Sequence, residues 1–163
     1  MALTVVVFDV GETLVDEATT YERWEAEGVT SFVFADQDLH HDALTCLAAL
    51  RERGLRLGAA GNMHAVHEGF LRAHVDFVGS SERWGVEKPD AAFFARVVDE
   101  AGAPAEEILY VGDRVDNDVE PALAAEMAGV HVRRGPWGHL HEAPPRAIRV
   151  RSLAELPEAL ERV

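Results

Sequence analysis

Short apolar runs recur along the chain at intervals that leave room for a helix between them. Runs of strand length begin at Leu3, Leu55, Val75, Ile108, Val130 and Ala147, and several are apolar throughout, the pattern of strands buried on both faces. The stretches between them repeat at helical spacing. Asp42 to Arg53 places Leu44, Leu47, Ala48 and Leu50 on one face and closes at Gly54, a glycine suited to a left-handed stop. Pro89 to Ala101 begins with a proline in its first turn and ends at Gly102. Glu17 to Glu27 reads as one helix with Tyr21 and Trp24 on the same side, and Pro121 to Ala128 as another. A last helix runs from Ser152, a candidate cap, to Arg162, with Pro157 splitting or kinking it. Strands alternating with helices predict an α/β fold: a three-layer α/β/α, Rossmann-like parallel sheet with right-handed crossovers.

The first crossover is the least regular. Leu14 to His41 provides only about thirty residues, where a connection between parallel strands needs a dozen or more. Ser31-Phe32-Val33-Phe34 either packs or lies over the sheet ends. Neither this segment nor that between Asn62 and Trp84 has room for a folded lid. The expected organisation is one domain over residues 1–163, with 15–40 as a reduced crossover, little or no cap domain and an open site. No internal repeat, low-complexity tract or linker interrupts it.

Composition narrows the choice. In 163 residues, 48% are hydrophobic and 27% charged, as in soluble globular chains. Fifteen Lys and Arg face 29 Asp and Glu, a net charge of −14 that repels polyphosphate and argues against sequence-independent nucleic-acid binding. A small phosphorylated molecule remains admissible, because a bound dication reverses the sign locally. Cys46 is the only cysteine, so no intrachain disulfide forms, and its helical surroundings suggest a buried thiol. The first apolar run lacks a basic leader and ends at Asp9, so neither signal peptide nor membrane span is expected and the cytoplasm is the default location.

Asp9 closes the run Val5-Val6-Val7-Phe8, and the chain then turns through Gly11. A second acidic loop, Gly112-Asp113-Arg114-Val115-Asp116-Asn117-Asp118, follows the run Ile108 to Val111. In open α/β sheets ligands bind outside the carboxyl ends of the strands, where both loops fall. Lys88 stands between them in sequence, held extended by Pro89. A carboxylate nucleophile, carboxylates for a metal and a cation for phosphate oxygens are the parts of a phosphoryl-transfer site. Taken singly, Asp9 would be a turn cap, Lys88 a surface lysine, and Asp113, Asp116 and Asp118 a solvated loop at a helix N-terminus. Together they favour chemistry, with Asp116 left behind the metal ligands or at the surface. His64 with His67, and His139 with His141, lack a zinc pattern and read as solvated. Arg133-Arg134-Gly135-Pro136-Trp137 either greets an anionic group beside an apolar wall or forms a surface loop. Trp84 either lines the entrance or packs in the core.

Four segments in order resemble the motifs of the haloacid dehalogenase (HAD) superfamily. They are Phe8-Asp9-Val10-Gly11-Glu12-Thr13-Leu14, Leu57-Gly58-Ala59-Ala60-Gly61-Asn62, Trp84-Gly85-Val86-Glu87-Lys88-Pro89-Asp90, and Val111-Gly112-Asp113 through Asp118. The resemblance implies a HAD-like hydrolase, most simply a phosphatase, with Asp9 as the nucleophile that forms an aspartyl-phosphate. Mg²⁺ would be held by Asp9, the Gly11 carbonyl, Asp113, and Asp118 directly or through water. Lys88 would pair with Asp9 and the phosphate, and Thr13, Gly61 and Asn62 would complete the phosphate-binding set. The implied partner is a small phosphorylated molecule, with no nucleic acid and no membrane. Aromatic residues near Trp24 and Phe32 offer a face for a homo-oligomer.

The chain also departs from the family pattern. The position two after the nucleophile, usually an acid–base aspartate, is Gly11. General acid–base catalysis contributes ~10²–10⁴-fold, so its loss costs roughly 3–5 kcal/mol of transition-state stabilisation. His64 and Glu12 are the candidates to substitute. Gly61 stands where a Ser or Thr hydroxyl is usual, leaving backbone N–H groups and Asn62. Ala124-Ala125-Glu126-Met127 carries a glutamate where glycine is usual, and a positive φ there would strain Glu126. These departures motivate an alternative, a weak or inactive phosphate- or protein-binding module. A metal-free dehalogenase is less favoured, because it has little need for Asp113 and Asp118.

Overall fold

All six apolar runs become strands of one parallel sheet. The structure is a computed structural model that describes residues 2–163. The strands are β1 (Val5–Phe8), β2 (Arg56–Gly61), β3 (Phe77–Ser80), β4 (Ile108–Gly112), β5 (Ala128–Val132) and β6 (Ile148–Val150), in the order β3-β2-β1-β4-β5-β6. β1 is internal, with Val5 to Phe8 paired to Arg56 to Ala59 on one side and to Ile108 to Val111 on the other. Burial on both faces explains why its residues are all apolar. Alternate residues feed two cores. Val6, Phe8, Leu57, Leu109 and Val111 pack with Leu47, Leu50 and Leu156 on one face. Val5, Val7 and Tyr110 pack with Phe93, Phe94 and Val97 on the other.

Among the described residues the α-helices are α1 (Glu17–Glu27), α2 (Ala43–Glu52), α3 (Glu68–Leu71), α4 (Ser81–Trp84), α5 (Ala91–Ala101), α6 (Glu120–Ala124) and α7 (Leu156–Leu160). α1 spans the residues its spacing predicts. α2 differs in its buried face, which is Ala43, Cys46, Leu47 and Leu50, whereas Leu44 is 44% exposed. The helix is rotated so that Ala43 and Cys46 join Leu47 and Leu50 in the core, while Ala48 faces outward with Leu44. α6 stops before Ala128, which pairs with Leu109 and opens β5 instead. Gly129 lets that strand pass under α6, since a methyl there would sit 3.3 Å from Leu123 and Val119. The intervening turn puts Glu126 at φ 67, the strained geometry expected of it. Pro157 does not split a longer helix; it sits in the first turn of α7, where its missing N–H is harmless. Ser152 occupies the cap of the preceding 3₁₀ turn without a side-chain bond. The single-turn helices α3 and α4 are too short to leave a periodic signature.

Between β1 and β2 lie only α1, a 3₁₀ turn at Asp36–Asp38 and α2, so the described residues include no separately folded cap. Among the described residues, no helix is long and apolar enough to cross a membrane.

Candidate active site

β1 and β4 end side by side, which delivers their next residues to one place. Phe8 pairs with Val111, and the Asp9 amide donates to the Val111 carbonyl at 2.8 Å. Asp113 follows two residues on, and a wide turn at Val115–Val119 folds Asp118 back over Gly112. A Cβ on Gly112 would lie 2.4 Å from the Asp118 carboxylate, so glycine is required there. Carboxylate oxygens of Asp9, Asp113 and Asp118 thus lie within 4.8 Å of one another, all three residues buried.

One cation stands among them. Lys88 Nζ donates to Asp9 Oδ1 and to Asp118 Oδ1, each at 2.6 Å. It lies 5.6 Å from the centre of the Tyr110 ring and 5.9 Å from that of Phe93. Asn62 fixes the backbone behind it: its Oδ1 accepts from Lys88 N at 2.8 Å, and its Nδ2 donates to Lys88 O at 3.0 Å. The Asn62 amide is therefore engaged in placing Lys88, a role the sequence does not announce. Thr13, fully buried, donates to Asp9 Oδ2 at 3.2 Å and stands 3.5 Å from Asp113 Oδ1. A Cβ on Gly61 would lie 3.1 Å from Asp9 Oδ1, so a larger side chain would crowd the Asp9 carboxylate.

Three carboxylates around one lysine leave negative charge uncompensated. Burial, with the charges of Asp9 and Asp118, pushes the Asp113 carboxyl well above the usual carboxylate range. Burial and Asp9 raise Asp118 as well, against partial relief from Lys88. Burial alone would favour the neutral amine of Lys88, but Asp118 and Asp9 outweigh it and hold the charge. A dication suits this donor set: hard oxygen ligands, excess negative charge, and a carboxylate (Asp113) whose hydrogen bonding is weak.

The other side of the site comes from α1. Its N-terminus is capped by Asp16, which accepts from Thr19 N at 3.3 Å, and by Glu12, which accepts from Ala18 N at 2.8 Å. Glu12 is buried at φ 60 in this structural task, and the side chain of His64 is 80% exposed beside Glu82. Neither stands where the missing acid would be. Glu17 does. A Cβ built on Gly11 would meet Glu17 Oε2 at 2.0 Å, so the Glu17 carboxylate fills the space of the absent side chain. Burial, with the charges of Asp9 and Glu12, raises its carboxyl above the ordinary range despite relief from Tyr21 and Lys88. Sequence reasoning passed over Glu17, because a first-turn glutamate is an ordinary helix feature.

Other singled-out residues resolve into structure. Arg134 grips Asp42 through two contacts at 2.9 and 3.0 Å and bonds the carbonyls of Glu12 and Thr13, steadying the Asp9 loop. Trp137 lines the site with the Arg114 guanidinium 4.7 Å from its ring centre, and Asp116 pairs with Arg114. Trp84 packs on Phe93 over Gly79. His67 is buried, stacks on Phe34 at 4.3 Å and accepts its amide, pinning the crossover. Trp24 is buried, while Tyr21 and Phe32 are exposed. Burial pushes the Cys46 thiol up to about 12, as for an unreactive core residue. Two cavities meet at the strand tips: about 360 Å³ around Asp9, Lys88, Asp113 and Asp118, and about 710 Å³ beyond Gly11.

The family model described as haloacid dehalogenase-like hydrolase matches residues 22–126, and the chain belongs to that family. The matched span begins after Asp9. A glyceraldehyde 3-phosphate phosphatase of Methanopyrus kandleri is 37% identical over 110 residues, covering 64% of this chain and 47% of that protein. Another, of Methanocaldococcus jannaschii, is 31% identical over 121 residues, covering 71% and 53%. The chain thus spans about half the length of the curated relatives it matches. The crystal structure of a HAD phosphatase from Thermococcus onnurineus matches with a TM-score of 0.77 at 18% identity, covering 97% of this chain and 98% of that one. That likeness bears on the fold alone.

Proposed function

We propose that the chain is a Mg²⁺-dependent phosphatase that works through an aspartyl-phosphate on Asp9. The observation that carries this reading is the convergence of the Asp9, Asp113 and Asp118 carboxylates within 4.8 Å of one another, with a buried lysine bridging Asp9 and Asp118. Asp9, the Gly11 carbonyl, Asp113 and, directly or through water, Asp118 would hold the ion, which would offset charge on the phosphoryl oxygens. Lys88, fixed by Asn62 and Asp118, orients Asp9 and pairs with the incoming phosphate. Thr13 holds the second Asp9 oxygen, so the attacking carboxylate is set before substrate arrives. Backbone N–H groups beyond Gly61 complete the phosphate cradle. The names of the relatives support a small phosphate monoester as substrate. On the single-domain reading of residues 1–163, the crossover α1 and its turn take the place of a cap.

The test is hydrolysis of p-nitrophenyl phosphate with Mg²⁺, wild type beside Asp9→Asn. Removing a covalent nucleophile is expected to cost roughly 10⁴-fold or more in kcat. Equal rates would favour a second reading, a phosphate- or protein-binding module, which the bare Gly11 and Gly61 and the committed Asn62 amide motivate. Halide release without metal would revive a dehalogenase.

A further inference from the structure

We infer that Glu17 is the acid–base catalytic residue of this site, entering from α1 in place of the side chain that position 11 lacks. The inference rests on the phosphatase reading and adds the group that moves the proton. Its basis is placement. The Glu17 carboxylate lies where a side chain on Gly11 would begin, with Oε2 at 2.0 Å from the built Cβ, Cδ at 3.2 Å and Oε1 at 3.9 Å. It borders both cavities, the one holding Asp9 and Lys88 and the larger one beyond Gly11. A monoester with phosphate in the first and its organic part in the second would have its bridging oxygen at that boundary. Glu17 is held there by secondary structure. It is the first residue of α1, whose next two amides are tied to Glu12 and Asp16, and helical side chains lean toward the N-terminus, here toward Gly11. Glycine at position 11 is then a requirement, since any side chain would displace the carboxylate.

The chemistry closes in two steps. An Asp9 oxygen attacks phosphorus, the bond from phosphorus to the bridging oxygen breaks, and the Glu17 proton passes to that oxygen to release an alcohol. A water oxygen then attacks the aspartyl-phosphate, its proton passes to Glu17, and the phosphorus–Asp9 bond breaks to give phosphate. Both carboxyl groups return to their starting states. Alkyl phosphates, whose alkoxide is a poor leaving group, depend most on this proton.

The experiment is a leaving-group series with Glu17→Gln, which keeps the volume and removes the proton transfer. kcat/KM reports the first transfer alone and is measured for p-nitrophenyl, phenyl and p-methoxyphenyl phosphates. The expected loss is small for p-nitrophenyl phosphate and grows to ~10²-fold for the poorest leaving group. Gly11→Asp combined with Glu17→Ala is expected to recover phenyl phosphate turnover relative to Glu17→Ala alone. A loss that is absent or equal across the series, or a double variant no better than Glu17→Ala, overturns the role of Glu17. In those cases the wild type still hydrolyses the series and the phosphatase reading stands. A wild type inert toward every member overturns both.

Discussion

The two sides of the site are built on different principles. On the strand side, Asp9, Asp113 and Asp118 come from the loops that follow two neighbouring parallel strands and are nearly sealed from solvent, with Lys88 bridging Asp9 and Asp118. On the crossover side, Gly11 and Gly61 present backbone, the cavity is open, and its acidic group arrives from α1. Charge neutralisation needs rigid, desolvated carboxylates, and the sheet supplies them wherever adjacent strands end in register. Proton transfer needs one group at one distance, and a helix end can provide that from elsewhere in the chain. Losing a residue from the second side is therefore repairable in a way that losing one from the first is not.

Several measurements break or sharpen this contrast. Asp9→Asn is expected to have the largest effect, and Glu17→Gln a smaller one that depends on the leaving group; equal losses in both would abolish the distinction. Next comes the metal. Asp113 and Asp118 lie above the usual carboxylate range, so the metal-free folded state keeps protons that the unfolded chain has released above about pH 4. Folded stability is therefore lost as pH rises from there through the raised values. Burial holds His40, His67 and His131 below the usual imidazole range, and they pull the metal-free profile the other way below about pH 6.5. The measurement is therefore a difference: Mg²⁺ is expected to raise the melting temperature more at pH 8 than at pH 5. In EDTA, Asp113→Asn should gain melting temperature over the wild type as pH rises from 5 to 8, and a constant difference would show that the charge excess is not felt.

Asn62→Ala tests the support behind Lys88. Losing both backbone bonds is expected to cost about 1–2 kcal/mol of stability. Turnover should fall roughly tenfold through a loosened lysine. A variant with full kcat would make the clamp dispensable. The smallest effect belongs to Glu126, exposed at φ 67 and remote from the site. Glu126→Gly should relieve up to ~1 kcal/mol of backbone strain, partly offset by the freer unfolded chain, and leave kcat unaltered. A lower melting temperature would contradict it.

Much of the fold was legible in the chain because buried parallel strands read as continuous apolar runs. Asp9 and Asp113 stood out because each ends such a run. What failed to show were features without a period: the single-turn helices, the buried face of α2, and the early start of β5 at Ala128. For the Arg133 to Trp137 segment the chain left an anion receptor and a surface loop both open, and Arg134 is engaged by Asp42 and two carbonyls of the Asp9 loop.

By itself, the order of apolar runs and turns determined the parallel sheet and which residues stand at strand tips, since burial and backbone pairing act on local pattern. Only the tertiary structure decided what fills the gaps those tips leave. The Asn62 clamp on Lys88 spans 26 residues, and the Glu17 carboxylate reaches Gly11 through the docking angle of a helix. Such contacts depend on how separate elements pack, a quantity with no signature along the chain.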